Sequence, residues 1–176
     1  MSSASHEFAF SKIRWIGFDV DGVMTDGGIV LDDRGIESKR FNSRDGHGLK
    51  LLLRSGLLVS IITGRKSDVV ERRAREIGID SVRQGVIDKI VAYEEILKTL
   101  NLKPEETAFA GDDVVDLPIM TRCALPMAPA DASPEALRIA KFVSSSRAGH
   151  GAVREMTEFI LKGKGLWESI MKGYLS

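Results

Sequence analysis

The chain alternates short apolar bursts with charged stretches of helical spacing. Trp15-Ile16-Gly17-Phe18-Asp19-Val20 runs into acids and glycine, and Leu57-Leu58-Val59-Ser60-Ile61-Ile62-Thr63 is closed by Gly64. Both have the length and composition of buried strands. Thr107 to Gly111 predicts another strand, and Ser81–Arg83 a short one. Ile29-Val30-Leu31 and Ile36 to Phe41 flank Asp32-Asp33-Arg34-Gly35, whose turn chemistry predicts a β-hairpin. Leu49, Leu51, Leu52 and Leu53 predict a helix ending near Gly56, and Ser67 to Glu76 a charged helix ending near Gly78. Asp88 reads as the N-cap of a helix whose apolar face is Ile90, Tyr93, Leu97 and Leu100. Val153, Met156, Phe159, Ile160, Trp167, Ile170 and Met171 carry helical spacing through the tail. Met1–Ser11 is polar and reads as a loose leader. Strands alternating with helices define the α/β class, with a central parallel sheet covered on both faces. Ligands in such sheets bind beyond the carboxyl ends of the strands.

Composition narrows the function classes. The 176 residues suit a single domain spanning 1–176, and 43% hydrophobic with 28% charged content fits a soluble globular chain. Lys+Arg and Asp+Glu are both 25, so no basic footprint for nucleic acid exists. No run of about 18 apolar residues predicts a membrane span. The N-terminus lacks the apolar stretch of a signal peptide, so a cytoplasmic protein is expected. One cysteine, Cys123, excludes an internal disulfide and a Cys-based zinc cluster, and His6, His47 and His150 show no ligand spacing.

Chemistry gathers at the predicted strand ends. Asp19 and Asp21 follow the first strand and, two residues apart, are expected on one side. Thr63, Gly64 and Arg65 follow the second, and Asp112, Asp113 and Asp116 follow Thr107–Gly111. Taken singly, each is an ordinary turn, cap or surface group. Together, five aspartates on neighbouring strand ends repel unless a cation sits among them. An oxygen-only set favours a hard ion such as Mg²⁺. Lys89 opens its helix against the macrodipole, which makes sense if it faces an anion such as a phosphate. These parts support phosphoryl transfer: one carboxylate attacks phosphorus, a second moves the proton, and Lys89, Thr63 and the metal neutralise charge.

At this point the sequence resembles the haloacid-dehalogenase-type phosphatases. Their motifs occur in order as Asp19-Val20-Asp21-Gly22-Val23-Met24-Thr25, Thr63-Gly64-Arg65, Lys89, and Gly111-Asp112-Asp113 with Asp116. Asp26-Gly27, Phe41-Asn42-Ser43-Arg44-Asp45-Gly46, Gly48 and Gly151-Ala152-Val153-Arg154-Glu155 narrow the resemblance to the capless subgroup acting on 3-deoxy-D-manno-octulosonate (KDO) 8-phosphate. The resemblance covers about Ile13 to Leu161. It implies a Rossmann-like three-layer sandwich, Asp19 as nucleophile and Asp21 as acid/base, with Thr63 and Lys89 on the phosphoryl group. It implies Mg²⁺ held by the Asp19 carboxylate, the Asp21 backbone carbonyl and Asp112, with Asp113 and Asp116 in support. It assigns Asn42, Ser43, Arg44, Asp45, Gly46, Lys50, Gly64, Arg65 and Arg73 to the substrate, a small phosphorylated sugar acid of lipopolysaccharide synthesis. It also implies that the 28–41 hairpin replaces a cap domain: four hairpins assemble a homotetramer in which a neighbour covers each active site. His47 stands where tyrosine is common and Lys50 where arginine is common. Within the tail, 163–176, Trp167 and Tyr174 are placed either in a neighbouring site or in helix packing. Two alternatives stay open at the level of sequence: a nine-carbon 2-keto sugar acid 9-phosphate as substrate, and a non-catalytic tetramerisation module.

Overall fold

The computed structural model describes residues 9–175. The described residues form eight strands in chain order: β1 Trp15–Phe18, β2 Val30–Leu31, β3 Glu37–Ser38, β4 Leu58–Ile62, β5 Ser81–Arg83, β6 Thr107–Ala110, β7 Leu125–Ala128 and β8 Phe142–Val143. The α-helices are α1 Ser43–Arg54, α2 Asp68–Ile77, α3 Lys89–Leu100, α4 Leu117–Met120, α5 Pro134–Ile139, α6 Ala152–Gly163 and α7 Trp167–Leu175. Six strands form one sheet in the order β5-β4-β1-β6-β7-β8, every neighbouring pair parallel. β2 and β3 form a separate antiparallel pair, the predicted hairpin.

Alternation along the strands splits the core into two faces. Ile16, Phe18, Val59, Ile61, Ala108 and Ala110 pack with Leu49 and Leu52 of α1, Val70 and Ala74 of α2, and Met156 and Ile160 of α6. Trp15, Ile62 and Phe109 point the other way, onto Tyr93 and Ile96 of α3, Ile119 of α4 and Ala136 of α5. The result is the expected Rossmann-like three-layer α/β sandwich, in which both sheet faces are covered and the free strand ends are left to chemistry.

Of the leader, Met1–Phe8 lies outside the described residues. The following Phe10–Lys12 form a 3-10 turn, and the Phe10 ring meets Phe159 of α6 edge-on at 5.0 Å. In the tail, Trp167 receives the Arg154 guanidinium at 5.6 Å and the Lys162 ammonium at 5.1 Å over its ring. The Tyr174 hydroxyl stands 2.9 Å from His47 Nε2, so α7 closes on α1 of its own chain. Within the chain both aromatics thus contact neighbouring helices, and Tyr174 stays about half exposed. The hairpin leaves Ile29, Val30, Leu31 and Ile36 exposed.

Candidate active site

The site lies where β1, β4 and β6 end. Asp19 follows β1 directly, its N–H donating to Ala110 O at 3.0 Å, so the sheet ladder itself fixes the backbone. The residue is buried. Lys89 is the first residue of α3, which Asp88 caps through a bond from Ile90 N at 3.2 Å. Lys89 Nζ reaches Asp19 Oδ1 and Asp116 Oδ1, both at 2.7 Å. Asp116 is fully buried, and its Oδ2 accepts from the N–H groups of Asp112 at 3.0 Å and Asp113 at 3.3 Å. It thus ties the lysine to the loop after β6. Asp113 caps the turn that follows, accepting from Val114 N at 2.7 Å.

Two glycines permit this crowding. A Cβ on Gly111 would lie 2.4 Å from Asp116 Cβ. On Gly22, which has φ +93°, a Cβ would lie 2.1 Å from Asp112 Oδ2. Only glycine lets the Asp112 carboxylate sit against the loop after β1.

The electrostatics of this cluster are unbalanced. Burial, then the neighbouring Asp116, pushes the Asp19 carboxyl up to about 6 despite the opposing pull of Lys89. Burial, then Asp19 and Asp116, pushes Asp112 up to about 8. Burial works against the charged form of Lys89, but Asp19 and Asp116 outweigh it and hold its pKa above the usual value. One lysine does not neutralise three buried or half-buried acids. Asp19, Asp112 and Asp116 each offer an oxygen within 4.8 Å of the others. An oxygen-only set with excess negative charge fits a hard divalent cation. Asp116 has both oxygens engaged by Lys89 and the loop, which leaves Asp19 and Asp112 as the freer donors.

The acids do not all share one spot, as their spacing predicted. β1 stops at Phe18, and Val20 O accepts from Val23, Met24 and Thr25 N as the chain turns, so the period-two rule ends before Asp21. Asp21 turns to other cations. Its Oδ1 pairs with Lys39 Nζ, and its Oδ2 lies 3.7 Å from Arg65 Nε. Lys39 and Glu37, from the second hairpin arm, are the site residues that the sequence reading missed. The available signal was their separation by two, which places them on one face of an extended arm.

The cleft is about 390 Å³, lined by Asp19, Asp21, Thr63, Gly64, Arg65, Val86, Ile87, Lys89, Asp112, Asp113 and Val115. Thr63 follows β4 directly, its N–H donating to Arg83 O at 2.9 Å. An apolar groove of about 370 Å³ at the other end of β4, lined by Leu53, Leu57 and Leu58 among others, holds a single acid, Asp80. The remaining substrate candidates do not line the cleft. Asn42 caps α1 through Arg44 N and Asp45 N. Arg73 packs over Phe41 at 5.7 Å and bonds Asn42 O at 3.3 Å and Glu76 at 2.9 Å. A Cβ on Gly46 would strike Arg73 Nη2 at 2.2 Å. Ser43, Arg44 and Lys50 lie on the same helix, α1. Asp45, the remaining candidate on α1, makes a structural contact within the chain. It is 3% exposed, and its Oδ1 accepts from Arg154 N at 2.8 Å, so it serves the start of α6.

A parallel sheet presenting an acid–lysine cluster at its strand ends is the architecture of the haloacid dehalogenase-like hydrolases, whose sequence model matches residues 79–156. More narrowly, 3-deoxy-D-manno-octulosonate 8-phosphate phosphatase KdsC of Yersinia pestis is 46% identical over 151 residues, spanning 86% of this chain and 81% of that protein. The KdsC of Escherichia coli K12 is 42% identical over 154 residues, 88% of this chain and 82% of its own. The chain belongs to this KDO 8-phosphate phosphatase family. Among solved structures, the Moraxella catarrhalis enzyme in complex with magnesium, phosphate and KDO superposes with a TM-score of 0.92 at 33% identity, covering 94% of this chain and 95% of that one. No described helix is long and apolar enough to cross a membrane.

Proposed function

We propose that the chain hydrolyses KDO 8-phosphate to KDO and inorganic phosphate, as a Mg²⁺-dependent cytoplasmic enzyme of lipopolysaccharide synthesis. The observation that carries the reading is the Asp19 carboxylate held at 2.7 Å by Lys89 beside Asp112, inside a cleft that also holds Thr63, Asp21 and Arg65. The Asp19 carboxylate, the Asp21 carbonyl and Asp112 would hold the metal, with Asp113 and Asp116 in support. When bound, Mg²⁺ supplies the missing positive charge and withdraws electron density from the phosphoryl oxygens.

Asp19 attacks phosphorus and forms an aspartyl-phosphate as the bond to the sugar oxygen breaks. Asp21 gives that oxygen its proton, then takes one from the water that attacks phosphorus and frees Asp19. Lys89 and the Thr63 hydroxyl bind the phosphoryl oxygens as charge spreads over them. Arg65, half exposed and paired with Glu37, would meet the substrate's carboxylate. The exposed apolar side chains Ile29, Val30, Leu31 and Ile36 support assembly of the hairpins into a tetramer in which a neighbour lids each cleft. The other proposed sugar contacts, on and around α1, would then complete the site from its rim.

The test is phosphate release from KDO 8-phosphate and from a nine-carbon 2-keto sugar acid 9-phosphate, with and without Mg²⁺. Higher kcat/KM on the eight-carbon substrate, dependent on metal and lost in Asp19→Asn, is expected. Preference for the nine-carbon ester would move the specificity. Activity without metal would overturn the mechanism.

A further inference from the structure

The lining of the cleft divides into two kinds. Asp19, Asp21, Arg65, Lys89, Asp112 and Asp113 are charged, whereas Val86, Ile87 and Val115 are aliphatic. Val86 and Ile87 belong to the loop between β5 and α3, and Val115 to the turn after β6. The Lys89–Asp116 pair at 2.7 Å ties these two segments together. Val86 packs partly against the core face that holds Tyr93 and Phe109. Ile87 and Val115 belong to neither core face. Ile87 is fully exposed and Val115 is 57% exposed, so two branched aliphatic side chains stand in water beside the reacting groups. An ester whose phosphorus lies against Asp19 has its leaving group in this same cleft.

Resting on the reading of Asp19 as the phosphoryl acceptor, we propose that Ile87 and Val115, with Val86, form an apolar subsite for the carbon face of the leaving group, and that the chain therefore also hydrolyses aryl phosphates. A flat ring laid on branched aliphatic side chains removes apolar surface from water on both partners. It needs no cation of its own, so Arg65 is left to carboxylate-bearing esters. The phosphoryl step keeps its balance. An Asp19 oxygen bonds phosphorus as the bond from phosphorus to the aryl oxygen breaks, and the phenol leaves with the proton the sugar oxygen would have taken. Water then bonds phosphorus as the Asp19 bond breaks, returning one proton to the enzyme and releasing inorganic phosphate.

The experiment compares kcat/KM for 2-naphthyl phosphate and phenyl phosphate in the presence of Mg²⁺. The two leaving groups are similar in basicity, so proton delivery cancels in the ratio and apolar contact remains. The second fused ring adds on the order of 40 Å² of apolar surface, and its burial is expected to favour the naphthyl ester about twofold to fivefold. Ile87→Ser and Val115→Ser are each expected to lower that preference, the double variant to bring the ratio to about one, and Ile87→Leu to keep it. Thermal melts of the variants should match the wild type, because neither side chain belongs to the core. No hydrolysis of either aryl ester, a wild-type ratio of about one, or a ratio unmoved in the double variant overturns the proposal. So does a loss of preference that comes with a smaller particle in light scattering, which would make Ile87 a contact between copies. Aryl hydrolysis with the expected ratios but no activity on KDO 8-phosphate would refute the substrate reading and leave the subsite standing.

Discussion

Asp112→Asn is expected to stabilise the metal-free protein while abolishing its response to Mg²⁺. Burial and the neighbouring Asp19 and Asp116 raise the Asp112 carboxyl from 3.8 to about 8. Between those values the unfolded chain has given up a proton that the folded chain still holds. Folding stability contributed by this group therefore falls as pH rises from about 4 to about 8 and is unaffected below that window. At about 1.4 kcal/mol for each tenfold, the ceiling at pH 7 is about 4 kcal/mol. Solvent at the cleft and the acids sharing the same field reduce the realised gain to about 1–3 kcal/mol. Asparagine keeps the shape and removes the charge. In EDTA at pH 7.5 its Tm should exceed that of the wild type by roughly 3–10 °C for a chain of this size, and the gap should close near pH 4. Added Mg²⁺ should raise the wild-type Tm in proportion to the logarithm of its concentration and leave the variant still. A variant less stable than the wild type in EDTA, or a gap independent of pH, would refute the view that like-charge crowding creates the metal site.

Lys89→Met strands Asp19 and Asp116, whose side chains are 7% and 0% exposed, without their shared cation. Urea denaturation should register a loss of about 3–5 kcal/mol, and phosphate release should vanish. Asp45→Ala leaves the Arg154 N–H at the start of α6 unsatisfied and should cost about 1–3 kcal/mol; a large KM rise for KDO 8-phosphate without destabilisation would instead make Asp45 a substrate contact. Val30→Asp with Leu31→Asp charges the two exposed positions of β2, and light scattering should show a species smaller than the wild-type assembly.

Much of this molecule was legible before any coordinates. Central parallel strands are buried on both faces, so Trp15–Phe18 and Leu58–Ile62 appear as continuous apolar bursts. The helix opened by Lys89 was legible from the Asp88 cap and the apolar face that follows it. The start of α1 was not: Ser43–Gly48 holds polar residues and two glycines, so apolar spacing begins only at Leu49, half a helix late. The acid cluster was legible as a set but not as a geometry. Its partition between Lys89 and Lys39 depends on where β1 stops, a boundary set by the turn around Val20 rather than by any apolar pattern. Lys39 reads in sequence as an ordinary solvated hairpin lysine. Its burial arises only when the hairpin folds against the strand ends, a tertiary contact that local spacing does not encode.

The central claim is that Asp19 takes the phosphoryl group from KDO 8-phosphate. Quenching enzyme, Mg²⁺ and substrate in acid during turnover, followed by borohydride reduction and peptide mass spectrometry, reads it directly. Reduction converts an aspartyl-phosphate to homoserine. The account predicts homoserine at position 19 alone, dependent on substrate and absent in Asp21→Asn quenched before phosphoryl transfer. Full turnover with residue 19 unmodified, or the modification at Asp112 or Asp21, would contradict it.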